Sequence, residues 1–169
     1  MTKLFAFFLL IAITLSSCSN GSLTEPEQIG KHVFGIMKTN STIGKQSYID
    51  NFISIEEIRE LGKNYEGEEE FLIDEDTRNE LTSMLKEEWI RRIEKDYNRI
   101  KEEGARSGII WQDIEYLDFI YQIANEDGLE TNEGELYFIY DGETYKVETG
   151  SIWNGKEYLI VGIQGLDKK

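Results

Sequence analysis

Three carboxylates, Asp113, Glu115 and Asp118, sit close together in a stretch from Ile109 to Ile123 that is rich in β-branched and aromatic side chains. The stretch contains no helix or strand breaker and reads as one long strand. Alternation then puts Asp113, Glu115, Leu117, Phe119 and Tyr121 on one face with Trp111. The other face carries Asp118 with Gln112, Ile114, Tyr116 and Ile120. Whichever face meets a helix therefore holds a carboxylate among aromatic rings. Burial would raise the pKa of that carboxyl, and with a tyrosine nearby it could move a proton as a general base. Asp113, Asp118, Tyr116 and Tyr121 are accordingly the candidate catalytic residues if the protein is an enzyme. The competing reading is an exposed strand in which bulges turn the acids outward.

The rest of the residue inventory narrows the chemistry. There is one histidine, His32, and one cysteine, Cys18. A zinc site built from histidine and cysteine has too few ligands. A serine nucleophile would have to recruit His32, which sits beside Val33 on a helical pattern and reads as a packed or surface residue. No glycine-rich phosphate loop of either common type is present. Asn125, Asp127 and Glu130 have the residue types of a calcium loop, but Leu129 stands where a ligand is needed. The acidic run Glu66, Glu68, Glu69 and Glu70 reads as a solvated loop. No cofactor and no metal is expected.

The cysteine carries the most specific signal. Leu15-Ser16-Ser17-Cys18 follows a short basic start, Met1-Thr2-Lys3, and an apolar run from Leu4 to Ile13. That run is too short to span a bilayer, which takes about 20 residues. It has the length of a signal-peptide core, about 7–15 residues. A plain secretory signal or a short buried helix would also account for the apolar run. The four residues ending in Cys18 resemble the lipobox of a bacterial lipoprotein. The resemblance implies cleavage after Ser17, a lipid on the Cys18 thiol, and a membrane-anchored place in the bacterial cell envelope. Two acyl chains hold a protein stably where one does so only marginally. Ser19 follows the cysteine, so no acidic retention or export signal specifies the leaflet.

The organisation expected is residues 1–17 as signal peptide, 18–23 as lipidated N-terminus and short linker, and 24–169 as one domain. Lys3 is the only charged residue of the leader, so the chain beyond it carries 17 Lys+Arg against 33 Asp+Glu, a net charge of −16. That charge speaks against nucleic acid and against adhesion to an anionic lipid face. It favours solubility, or attraction of a cationic partner. A lipidated Cys18 leaves no cysteine for a disulfide, so stability must come from a core supplied by Trp89, Trp111, Trp153 and many Tyr and Phe.

Helical signals come first. Thr24-Glu25-Pro26-Glu27 opens a helix that ends near Thr39 and Asn40. Tyr48 and Phe52 suggest a helical turn. Ser54-Ile55-Glu56-Glu57 is a capping box with Ile53 and Ile58 as a staple, and Gly62 is its stop. Thr77-Arg78-Asn79-Glu80 predicts the start of one long helix over 77–103, with Leu81, Leu85, Trp89, Ile93, Tyr97 and Ile100 as its apolar stripe. Strands follow at 109–123, 135–140, 144–152 and 157–164. Asn125 to Gly134 reads as a loop, while Asp141-Gly142 and Asn154-Gly155 read as hairpin turns.

This order predicts an α+β domain, with N-terminal helices packed on a curved four-stranded antiparallel meander. The helical stretch 24–39, the Tyr48…Phe52…Ser54-Ile55-Glu56-Glu57 step, helix 77–103 and the hairpin around Trp153-Asn154-Gly155 resemble the cystatin-like, nuclear-transport-factor-2-like cone fold. Phe71-Leu72-Ile73 is the only candidate for the early strand common in that family. Two functions follow as expectations. One is a non-catalytic, lipid-anchored binding or structural module for a cationic protein or peptide. The other is a small-ligand binder, or an acid–base enzyme of the isomerase or hydratase type, that uses a pocket carboxylate in the cone.

Overall fold

The computed structural model describes residues 22–40, 42–64 and 73–169. Cys18, the acidic run from Glu66 to Glu70, and Phe71 and Leu72 lie outside the described residues. Five α-helices precede a four-stranded antiparallel sheet in the order β1-β2-β3-β4, so the domain is α+β with its helices first.

Helix α1 spans Pro26–Thr39. Its N-cap is Glu25, and the Gln28 side chain reaches back to accept from the backbone N–H groups of Thr24 and Glu25 at 2.9 and 3.2 Å. These groups have no helical partner and would otherwise need water. Helix α2, Lys45–Ile49, buries Tyr48 against Phe52 and Tyr97. Helix α3, Ile55–Asn64, is started by the expected reciprocal pair. Ser54 N–H donates to the Glu57 carboxylate at 2.7 Å, and Glu57 N–H donates to Ser54 Oγ at 3.2 Å. Ile53 and Ile58 are both buried. Gly62 does not stop this helix; it lies inside it, where a side chain would meet Thr82 of the following helix.

The long helix expected over 77–103 is two helices. Helix α4 spans Glu75–Ser83 and helix α5 spans Lys86–Arg106, with Met84 and Leu85 extended between them. The N-cap is Asp74, whose carboxylate accepts from the N–H groups of Asp76 and Thr77, rather than Thr77 itself. The hydroxyls of Thr82 and Ser83 bond back to the carbonyls of Arg78 and Asn79, a competing bond that loosens a helix end. Arg59 of α3 donates to the freed Met84 carbonyl at 2.9 Å. The break lets α4 pack on α3 while α5 turns to pack on β4. Leu85, expected in the apolar stripe, is exposed at the corner.

The strands are β1 (Glu115–Glu126), β2 (Leu129–Tyr140), β3 (Glu143–Trp153) and β4 (Tyr158–Lys168). The segment before β1 is a 3₁₀ turn at Trp111–Asp113 rather than strand. The expected loop 125–134 is a two-residue hairpin instead. Asp127 and Gly128 both have positive φ, 52° and 86°, which matches the right-handed twist of the strands it joins. Asp141 and Gly142 repeat the device between β2 and β3. No helix among the described residues is long and apolar enough to cross a membrane.

The core lies between the helices and one face of the sheet. Phe119 is its keystone. The ring sits between Gly30 of α1 and Gly134 of β2, and a Cβ at either position would collide with it. Trp111 occupies the matching place against Gly104 of α5. Leu136, Phe138, Val147, Ile160 and Ile163 complete this face.

Candidate functional site

A β-bulge at Leu117 decides where the sequence-predicted acids point. Tyr116 pairs with Phe138 and Asp118 with Tyr137, so two residues on β1 advance for one on β2. One inserted residue exchanges the faces of everything after it. Ile114 is buried before the bulge, and Phe119 is the buried residue after it. Phe119 and Tyr121 therefore do not share a face with Leu117, and Asp118 does not share one with Tyr116.

The four candidates are consequently dispersed. Asp113 is exposed at the end of the 3₁₀ turn. Asp118 is exposed on the face away from the core, where its carboxylate accepts from the Phe119 N–H at 2.8 Å. Tyr116 packs edge-on against Phe34, and burial followed by the nearby Asp118 raises its pKa. Tyr121 donates to Glu27 of α1 at 2.5 Å, which lowers the pKa of Glu27 and raises that of the phenol. Trp111 and Phe119 fill the core face, where the sequence predicted a pocket carboxylate.

The open site lies elsewhere. A cleft of about 890 Å³ is lined by α5 and by all four strands, with the core-facing Gly134 and Thr149 beside the outward-facing Glu135 and Glu148. Its helix wall carries Arg92, Lys95, Asp96 and Arg99, beside Trp89 and Ile93. Arg92, Asp96 and Arg99 recur at helical spacing and flank the buried stripe, so burying Ile93 and Tyr97 sets them at its margin. Trp89 is locked by its indole N–H, which donates to the Ile53 carbonyl at 2.8 Å. Burial raises the pKa of Asp96, partly opposed by Arg99, whose guanidinium lies 2.8 Å away.

The sheet wall carries Glu133, Glu135 and Glu148 with Ile120, Gln122 and Gln164. The register puts Glu135 opposite Glu148 and Ile120, and Gln122 opposite Glu133. Lys146 lies in the next row. Its ammonium donates to Glu135 at 2.6 Å and to Glu148 at 3.0 Å, and Tyr137 donates to Glu135 at 2.5 Å. Two like charges directly opposite would repel, and the lysine between them offsets this. The Lys146 bond, then that of Tyr137, holds the Glu135 carboxyl below the ordinary glutamate value, and both carboxylates raise the pKa of Lys146. A carboxyl shifted downward is a weaker base at neutral pH, the opposite of what acid–base chemistry needs.

Nothing in the local sequence pattern of Arg92, Arg99, Glu133, Glu135, Glu148 and Lys146 marks them as one site. The only trace is the alternation Glu133, Glu135, Tyr137 on β2 and Lys146, Glu148 on β3. A loop assignment at 125–134 conceals it. His32 lines a separate, smaller cavity of about 250 Å³, and burial lowers its pKa. Asn125 accepts from Gly128 N–H within the turn, and Glu130 accepts from Tyr158. Among the described residues, no group of three or more His, Cys, Asp or Glu is placed to hold a metal ion. The fold and cleft together define an α+β domain with a charged groove beside its sheet. Compared with protein-family models, curated proteins and solved structures, the chain matches none.

Proposed function

We propose that this chain is a lipid-anchored protein of the bacterial cell envelope, held through Cys18, that acts as a non-catalytic binding module for a cationic protein or peptide. The cleft beside the sheet carries the reading. Three carboxylates on its sheet wall meet basic groups of a partner. Arg92, Lys95 and Arg99 on the facing helix offer donors to the partner's carbonyl and carboxyl oxygens. Its volume falls within the range of about 300–1,000 Å³ typical of ligand sites. The strong negative charge of the chain would steer a basic partner toward it.

Two experiments test the two halves of this reading. Cys18→Ser should release the protein from the membrane fraction or block its maturation. A correctly cleaved variant that stayed membrane-bound would remove the anchor from the proposal. Titration with a basic peptide at low and high salt should give saturable binding that weakens with salt. That binding should fall when Glu133 and Glu148 are both changed to Gln. Equal binding to a charge-matched acidic control protein would end the binding-module reading.

The cleft volume also favours a second reading, a small polar ligand held between the two charged walls. Acid–base chemistry would then fall to Asp96, the cleft carboxyl that burial raises, rather than to Glu135, which its partners hold low. A turnover assay with Asp96→Asn separates binding from chemistry.

A further inference from the structure

The two edges of the sheet are treated differently. On β4 the outer backbone is occupied: Tyr158 N–H donates to the Leu23 carbonyl, and the Ile160 carbonyl accepts from Ile53 N–H, each at 2.8 Å. Helix α5 packs along the same strand. On β1 no backbone group outside the sheet pairs with residues 115–126 among the described residues. The Phe119 N–H beside the bulge donates to the side chain of Asp118 at 2.8 Å.

An open edge is a template for another strand, and proteins usually blunt it with lysine, proline, a bulge or a short strand; the bulge at Leu117 leaves Asp118 to Glu126 as an unbroken run of register. β1 has twelve residues, and from Ile109 to Glu126 there is no Lys, Arg or Pro. Of the six large hydrophobic residues exposed among the described ones, Ile110, Tyr116, Leu117, Ile120 and Ile123 lie on or just before this strand. Ile120 is 56% exposed and Ile123 47%, on opposite faces of it. Apolar positions on both faces of an edge are wasted on water and suit a strand lying alongside.

The charges select the occupant. Glu115 and Asp118 are exposed on β1 with no cation on the strand. A second copy of the chain would set acidic strand against acidic strand, where directly opposed like charges are destabilising. A basic segment reverses that sign. We propose that the β1 edge docks an extended cationic segment of a partner protein, which adds a fifth strand to the sheet and pairs through its backbone. The proposal rests on the cationic-partner reading above and specifies its mode. Ile120 and Gln122 of β1 also line the cleft, so the added strand would run along the cleft mouth.

The probe is a short synthetic peptide of alternating lysine and valine, set against the same peptide with its alternate backbone amides N-methylated. Charge and side chains are then equal, and only strand pairing differs. Binding is measured by calorimetry on the full chain in non-ionic detergent, with amide hydrogen exchange along β1. The unmethylated peptide should bind roughly tenfold tighter or better and slow exchange at β1 but not at β4. Ile120→Lys, at an exposed position, should weaken binding by a similar factor with an unchanged circular-dichroism spectrum. Equal binding of both peptides overturns strand pairing and leaves the cationic-partner reading standing. No binding of either at low salt overturns both. A dimer of the chain itself that protects β1 overturns the choice of occupant.

Discussion

On one face of the sheet a phenyl ring sits between two glycines; on the other an ammonium sits between two carboxylates. Phe119 fills the space left by Gly30 and Gly134, with no atom to spare. Lys146 bridges Glu135 and Glu148, whose side chains remain 41% and 58% exposed. Both centres hold neighbouring strands together, but by different means. Close packing is unforgiving because a missing or added methyl group has nowhere to relax. A partly solvated ion pair is forgiving because water replaces what is lost. The domain places its close packing on one face and its solvated ion pairs on the other.

The largest effect should come from Phe119→Ala, which removes the centre of the packed face. A loss of about 3–5 kcal/mol is expected in urea denaturation, and a loss under about 1 kcal/mol would mean that the face is not packed as described. Gly134→Ala should cost about 1–3 kcal/mol through overpacking. The double variant Gly134→Ala with Phe119→Ala should cost less than the sum, because the new methyl group occupies the vacated ring position. Strict additivity would break the proposed contact. Lys146→Met should cost only about 1 kcal/mol, discounted for the solvent around its two partners.

The pH dependence follows from the same contrast. The Glu135 carboxyl is lowered, so its contribution is fully present above the ordinary value of 4.5 and is lost as the pH falls through the lower folded value. Lys146→Met should therefore flatten the acid limb of the stability profile. The smallest effect is expected at His32. Burial lowers its pKa, so the unfolded chain binds the proton more readily, and stability falls as the pH drops below about 6.5. His32→Gln should remove that small slope in denaturation curves taken between neutral and mildly acid pH; an unchanged slope would place the proton elsewhere.

Much of the local structure was legible. Ser54 and Glu57 announced their helix because a capping box satisfies two backbone donors within four residues. Asp141-Gly142 announced its hairpin because few other dipeptides tolerate two positive φ angles. Asp127-Gly128 carried the same signal but was hidden inside a polar stretch, since β2 presents Glu133 and Glu135 to solvent on one side and the small Asn132 and Gly134 to the core on the other. Thr82-Ser83 marked the end of α4, yet the apolar spacing of Leu81, Leu85 and Trp89 outweighed it. The candidate site was much less legible. The strand with the acids was found, but the bulge at Leu117 reassigned its faces, and the charged cleft was assembled from α5, β2 and β3.

From the sequence alone came the negative charge, a matter of composition, and the order of helices before strands, the meander, the caps and the turns, set by interactions between residues a few positions apart. Tertiary structure decided which way each strand faced, where the long helix broke, and which edge was covered. Those choices depend on how segments distant in the chain pack together. Phe119 turns inward because Gly30 and Gly134, far apart in sequence, leave it room.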